Sequence, residues 1–437
     1  MKSPLEATPT CALALGLALS LATSRAGAVG LPPSGAGAPV GPVVERPSLP
    51  LRSCAVDAPV CLHLGPGLAP DEARRARDAA ASAWSRIVGV LRFPAPLADG
   101  PAGGDPRLDV YVAPTPGGVV VGRDALALLE DRDAAPAFVR IDPAVVRAGG
   151  CALDFHLARA IAQSSAAGLD VAETPVLVEG FARYAASIVA PCAEEDGPPF
   201  AALQATPWRS LFDDPSGTEE LARTLDIHDG AGFGALIPGV LSMAAGAHGV
   251  VTPEPDDFEW GPAHFRNEPS AIDVLSATLR DSSRYLDDMW LDVAVARASE
   301  PTPGGAKPTL DWQIPVSSLP RRLAVSRGVE VTGASYLRID VDRTPKGGAI
   351  ELDPKWEQGA RFRWAVLQLD AQGHRVGQIG VARLDRAREL TIEVRKLDGV
   401  AAVLVVGVNT GDPARPWNPD DPPTSPHGFE LGVYEGE

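Results

Sequence analysis

Cations are scarce in this sequence. Its 437 residues carry 39 Lys and Arg against 56 Asp and Glu, a formal net charge of −17. Excess carboxylate offers nothing to a nucleic-acid backbone or an anionic lipid face, so neither is expected as a partner. Long apolar runs are missing beyond the N-terminus. GALIPGVLSMAAGA at 234–247 is short and interrupted by Pro238, which predicts a core helix and no membrane span. Ser164-Ser165 and Ser282-Ser283 lack a G-x-S-x-G context, so a serine hydrolase is not supported. GPGLAP and TPKGGA are turns, without the strand that precedes a phosphate loop. His228, His248 and His264 are scattered without ligand spacing. WNPDDPP at 417–423 concentrates carboxylates but lacks EF-hand spacing and reads as a solvated loop. No internal repeat stands out.

What is present fits a globular chain of two domains, with 45% hydrophobic and 22% charged residues, 43 Pro and 44 Gly. Residues 1–28 read as a signal peptide: Lys2, an apolar stretch at 11–22, and Ala26-Gly27-Ala28 as a small-residue cleavage site. Export to the periplasm or the extracellular space is therefore expected. Cleavage leaves Cys54, Cys61, Cys151 and Cys192, an even number with three possible connectivities. Cys54 and Cys61 are close enough to close a small loop. Cys151 precedes one predicted helix and Cys192 follows the next, so an antiparallel hairpin would bring them together. The expected pairs are 54–61 and 151–192.

Residues 29–50 are Pro/Gly-rich and read as an exposed linker. From 51 to 299 the pattern is α+β: a helix at 70–91, strands at 107–114 and 136–142, then mostly helices. PTPGGAKPT breaks the pattern, placing a linker at 300–309. Short strands at regular spacing over 310–437 predict an antiparallel β-sandwich serving as an accessory domain.

The segment CALDFHLARAIAQSSAAGLDVAETPVLVEGFARYAASIV at 151–189 bears most on function. Positions i and i+4 of a helix share a face, which lets a zinc peptidase set two His on one metal with a Glu between them as base. A carboxylate from the next helix completes the protein ligands. Here LARAI at 157–161 and EGFARYAAS at 179–187 resemble the two zinc helices of bacterial secreted metallopeptidases of the gluzincin type, with Glu179 at the third-ligand position. WSRIVGVLRFPAPLADG, LDVYVA and AFVRID resemble that family's N-terminal sheet, and the resemblance extends over most of 51–437. It implies a small N-terminal sheet, a helical active-site and C-terminal lobe, and a terminal sandwich.

The departures fall on the chemistry. Phe155 stands at the first ligand position, His156 at the base position and Arg159 at the second ligand position. Phe cannot bind a metal, and a protonated Arg repels one. No metal and no cofactor are expected, and Arg159 is expected to form a salt bridge with Glu179. The competing reading for Glu179 is a local pair with Arg183 four residues on. His156 reads as a helix histidine satisfied by Asp154, Glu173 or water, and a metal site built from Asp154, His156 and Glu173 is disfavoured because Asp154 and His156 point to different faces. The leading expectation is a non-catalytic pseudopeptidase with a binding or structural role, whose partner would be an extended peptide or protein pairing with an exposed strand edge at 136–142. One alternative is an active hydrolase, with zinc, rebuilt around His156 and Glu179. The other is a carbohydrate- or surface-binding protein acting through its sandwich, with Trp356 and Trp364 as available rings.

Overall fold

The computed structural model describes residues 44–100, 102–123, 127–129, 132–171, 173–230, 234–246, 269–300, 305–325, 327–380, 388–412 and 426–436. The expected signal peptide, most of the first linker, His248, His264 and the 417–423 loop lie outside them.

The chain begins with β1 (Leu51–Cys54) and β2 (Val60–Leu64), an antiparallel pair that sets Cys54 opposite Cys61. α1 (Pro70–Trp84) follows, with Pro70 at a position that needs no N–H and Asp71 and Glu72 in the first turn. Ala76, Ala80 and Ala83 are buried along its inner face, and a π-helical turn over Ser85–Val90 extends it. Next come β3 (Leu108–Val112), β4 (Val119–Arg123), the short hairpin β5 (Ala127–Leu129) and β6 (Arg132–Ala134), and β7 (Ala137–Ile141). The first sheet has the order β1-β2-β3-β7-β4, parallel at its centre and antiparallel at both edges. Segment 136–142 is thus not an edge. β7 is paired on both sides, and β4 ends the sheet there among the described residues.

Nine α-helices lie among the described residues. α2 (Pro143–Ala148) is capped by Asp142, whose carboxylate accepts the Ala144 N–H at 2.7 Å. Gly149 and Gly150, with φ of 61° and 64°, then turn the chain sharply into α3 (Gly150–Ala167) through backbone conformations that side chains resist. α4 (Pro175–Val189) returns alongside it, followed by α5 (Ala193–Ala205), α6 (Pro215–His228), α7 (Leu236–Gly246), α8 (Ala271–Asp281) and α9 (Leu286–Ser299). Among the described residues, no helix is long and apolar enough to cross a membrane.

The remaining strands are β8 (Trp312–Pro315), β9 (Arg321–Ala324), β10 (Ala334–Asp340), β11 (Ile350–Trp356), β12 (Phe362–Leu369), β13 (Arg375–Gly380), β14 (Ile392–Val394), β15 (Ala402–Asn409) and β16 (Phe429–Glu435). They form two sheets, β13-β12-β15-β10-β8 and β14-β11-β16-β9. The pairing is antiparallel except for β8, which joins β10 in parallel, so the expected all-antiparallel sandwich is mixed at one edge. Strand periodicity divides the five-stranded sheet between two cores. Tyr336, Ala365, Leu367, Leu404 and Val406 face the helical core, while Leu337, Ile339, Trp364, Val366 and Val405 pack against the four-stranded sheet. This accounts for the unbroken apolar run of β15, which is buried along its whole length.

The described residues belong to one compact unit. Tyr336 Oη donates to the Ala294 carbonyl of α9 at 2.8 Å, Arg361 pairs with Asp287 at 2.9 Å, and the Thr309 N–H donates to the Gln204 carbonyl at 2.9 Å.

Candidate functional site

α3 and α4 pack side by side, and Cys151–Cys192 ties the start of α3 to the residue preceding α5. Cys54–Cys61 is the second disulfide. Two disulfides fit folding in an oxidising compartment.

Phe155 is fully buried, part of the helical core, and the Arg183 guanidinium lies 5.5 Å from its ring centre. One turn on, Arg159 points at α4, with Nη1 2.5 Å from Glu179 Oε1. Gln163, four residues further along the same face, donates to Glu179 Oε2. Both carboxylate oxygens are therefore engaged from α3. Arg159 Nη2 also donates to the Val119 carbonyl at 3.4 Å, so one guanidinium joins α4 to the edge strand β4. The Arg159 and Glu179 side chains are 14% and 21% exposed, so the pair is part-buried. Arg183 does not pair with Glu179. Its Nε is 2.9 Å from Glu219 on α6, and its Nη2 donates to the Glu195 carbonyl at 3.1 Å.

His156 finds neither Asp154 nor Glu173. Its Nε2 lies 3.2 Å from Glu195 Oε2 on α5, and its Nδ1 is buried without a hydrogen-bond partner. Burial and the adjacent Arg159 pull the His156 pKa below its ordinary value, against the opposing pull of Glu195. Asp154 is exposed. Glu173 is buried and accepts the N–H groups of Thr174 at 2.8 Å and of Ala271, at the start of α8, at 2.7 Å. The three groups of the disfavoured metal site therefore stand apart.

Gln163 and Glu195 were missed from sequence, although both carried a signal. Gln163 is at i+4 from Arg159 on the same helix face. Glu195 follows Cys192 by three residues and His156 follows Cys151 by five, so the 151–192 link already brings them near each other.

The other candidates resolve into packing. Trp356 and Trp364 are buried in the sandwich core among Phe362 and Phe429, which leaves no ring face for a sugar. His228 lies at the end of α6, 3.7 Å from Glu300. Among the described residues, Cys54, Cys61 and Asp105 have ligand atoms within 4.8 Å of one another, but both sulfurs are spent in the disulfide. A cleft beside α3, lined by residues including Arg86, Asp154 and Val189, has about 10 Å³ of free volume, room for one water.

No protein-family model and no curated protein matches the chain. Solved structures similar to part of it include the pre-peptidase C-terminal domain of a collagenase from Bacillus anthracis, at 11% identity and a TM-score of 0.18, covering 29% of this chain and 96% of that one. Another is CorA, a surface-associated copper-binding protein of Methylomicrobium album BG8, at 11% identity and a TM-score of 0.19, covering 29% of this chain and 99% of that one. Scores of that size assign neither fold nor function.

Proposed function

We propose that this protein is an exported, metallopeptidase-like chain without zinc chemistry, acting by binding or as a structural component. The observation that carries the reading is the engagement of both Glu179 oxygens by Arg159 and Gln163. A carboxylate so held, beside a fixed cation, is a poor ligand for a second cation. Phe155 adds no donor, and the base position holds a histidine whose Nε2 contacts Glu195. The domain assignment from the resemblance, a peptidase-like part over 51–299 and an accessory sandwich over 310–437, belongs to the same proposal.

In this reading an extended peptide or protein segment is the partner, and β4 is the strand on which it would add. The test is elemental analysis of the purified protein together with a casein-cleavage assay, with and without chelator. The expected result is substoichiometric zinc and no cleavage. Stoichiometric zinc with chelator-sensitive cleavage overturns the reading in favour of a hydrolase rebuilt around His156 and Glu179.

A further inference from the structure

The β1–β2 pair holds a second chemical feature, remote in kind from the helix pair. Cys54 and Cys61 share a disulfide, but their sulfurs have different surroundings. Cys61 is wholly buried on β2, whereas Cys54 is partly exposed on β1, the edge strand. Two guanidiniums reach the Cys61 sulfur, Arg52 Nη2 at 3.2 Å and Arg107 Nη1 at 3.7 Å. Both also meet Asp105: Arg52 Nη2 pairs with its Oδ2, and Arg107 Nε lies 3.9 Å from the same oxygen. A disulfide sulfur is a weak, uncharged acceptor and gains little from two cations. A thiolate gains a good deal, because neighbouring guanidiniums favour its charged form.

We propose that Cys54–Cys61 is a thiol–disulfide exchange site for a low-molecular-weight thiol, with Cys54 the attacked sulfur and Cys61 the leaving group. The incoming thiolate forms a new S–S bond to Cys54 Sγ. The Cys54–Cys61 bond breaks, and its electron pair departs on Cys61 Sγ as a thiolate held by Arg52 and Arg107. The leaving thiol of lower pKa departs faster, which sets this direction. In the reverse step the Cys61 thiolate attacks Cys54 Sγ and expels the small thiol. Opening removes the sulfur crosslink between β1 and β2, which stay joined through residues 55–59 and by backbone pairing. β1 continues from residues 44–50, where Arg46 pairs with Asp99 at 2.8 Å and with Asp109 at 2.5 Å.

The experiment treats the full chain with glutathione, quenches by alkylation at intervals, and locates the adducts by peptide mass spectrometry. The expected adduct is on Cys54. Arg107→Gln slows opening roughly three- to fivefold, the rate equivalent of one partly exposed charge contact. Arg107→Lys keeps the charge and stays within about twofold of the native rate on the same scale. Asp105→Asn frees both guanidiniums from their carboxylate and speeds opening. An adduct on Cys61, no reaction, or equal rates in Arg107→Gln and the native protein overturns the proposal. So does faster opening in both Arg107→Gln and Asp105→Asn, which would mean that the arginines only brace the hairpin.

Discussion

Glu179 sits on a helix whose buried residues are mostly apolar and whose buried Arg183 is committed to Glu219, so its charge is met from α3. Replacing it with Gln removes one partner of a charge-assisted pair and leaves Arg159 part-buried beside a neutral amide. The expected loss is about 1–3 kcal/mol, below that for a fully buried pair because both side chains retain some water. Urea unfolding in the presence of chelator measures this, and an unchanged midpoint would remove the pair from the stability argument. Glu220 makes a separate point. It is buried, and desolvation pushes its pKa up to about 7, against the pull of Arg223 and Arg297. Between its ordinary value of 4.5 and about 7 the folded state holds a proton that the unfolded state has released. Stability from this group is therefore greatest at the acid end, falls as pH rises through that window, and levels off above it. Thermal melts across pH 4.5 to 8 should show this slope, and Glu220→Gln should flatten it. A variant with the native slope would place the proton elsewhere.

At the scale of elements, the crossing of α4 and α6 depends on the absence of a side chain. A Cβ on Gly180 would lie 2.0 Å from Thr218 Oγ1 and 2.6 Å from the Glu219 nitrogen. Gly180→Ala must push the two helices apart and is expected to cost roughly 1–3 kcal/mol, read as a lowered melting temperature. Native-like melting would show that the crossing can widen freely. Glu179-Gly180-Phe181 thus has a packing reason for its glycine and a partner on α3 for its glutamate. The glutamate is legible from spacing on two helices. The glycine's role is not, because α6 lies more than thirty residues further along the chain. The same limit applies to β4. Its sequence, VVVGR, gives no sign that it would lie outside β7, and the sheet order depends on pairing across distant segments.

At the scale of the molecule, the five-stranded sheet is a shared wall. One face completes the helical core and the other completes the sandwich core. Arg361–Asp287, Arg363–Asp288 and Tyr336 with the Ala294 carbonyl add polar ties across the first of these contacts. Unfolding the sandwich strips a wall from the helical core, and unfolding the helices exposes an apolar face of the five-stranded sheet, so a single cooperative transition is expected, with far-UV and near-UV signals coinciding. Two separated transitions would show that the helical part and the sandwich are independently stable.

The sequence by itself determined the α+β class, the helix pair within 151–189, the strand-rich C-terminal region and the even number of cysteines beyond the N-terminal segment. These are local properties, carried by periodicity, by i,i+4 spacing and by residue chemistry. Tertiary structure alone decided that β7 is internal, that β8 joins its sheet in parallel, that Arg183 pairs with Glu219, and that Trp356 and Trp364 face inward. The physical reason is common to all four. Each depends on which distant segment supplies the neighbouring surface, and a one-dimensional pattern records a residue's preference for burial or charge without naming the partner that satisfies it.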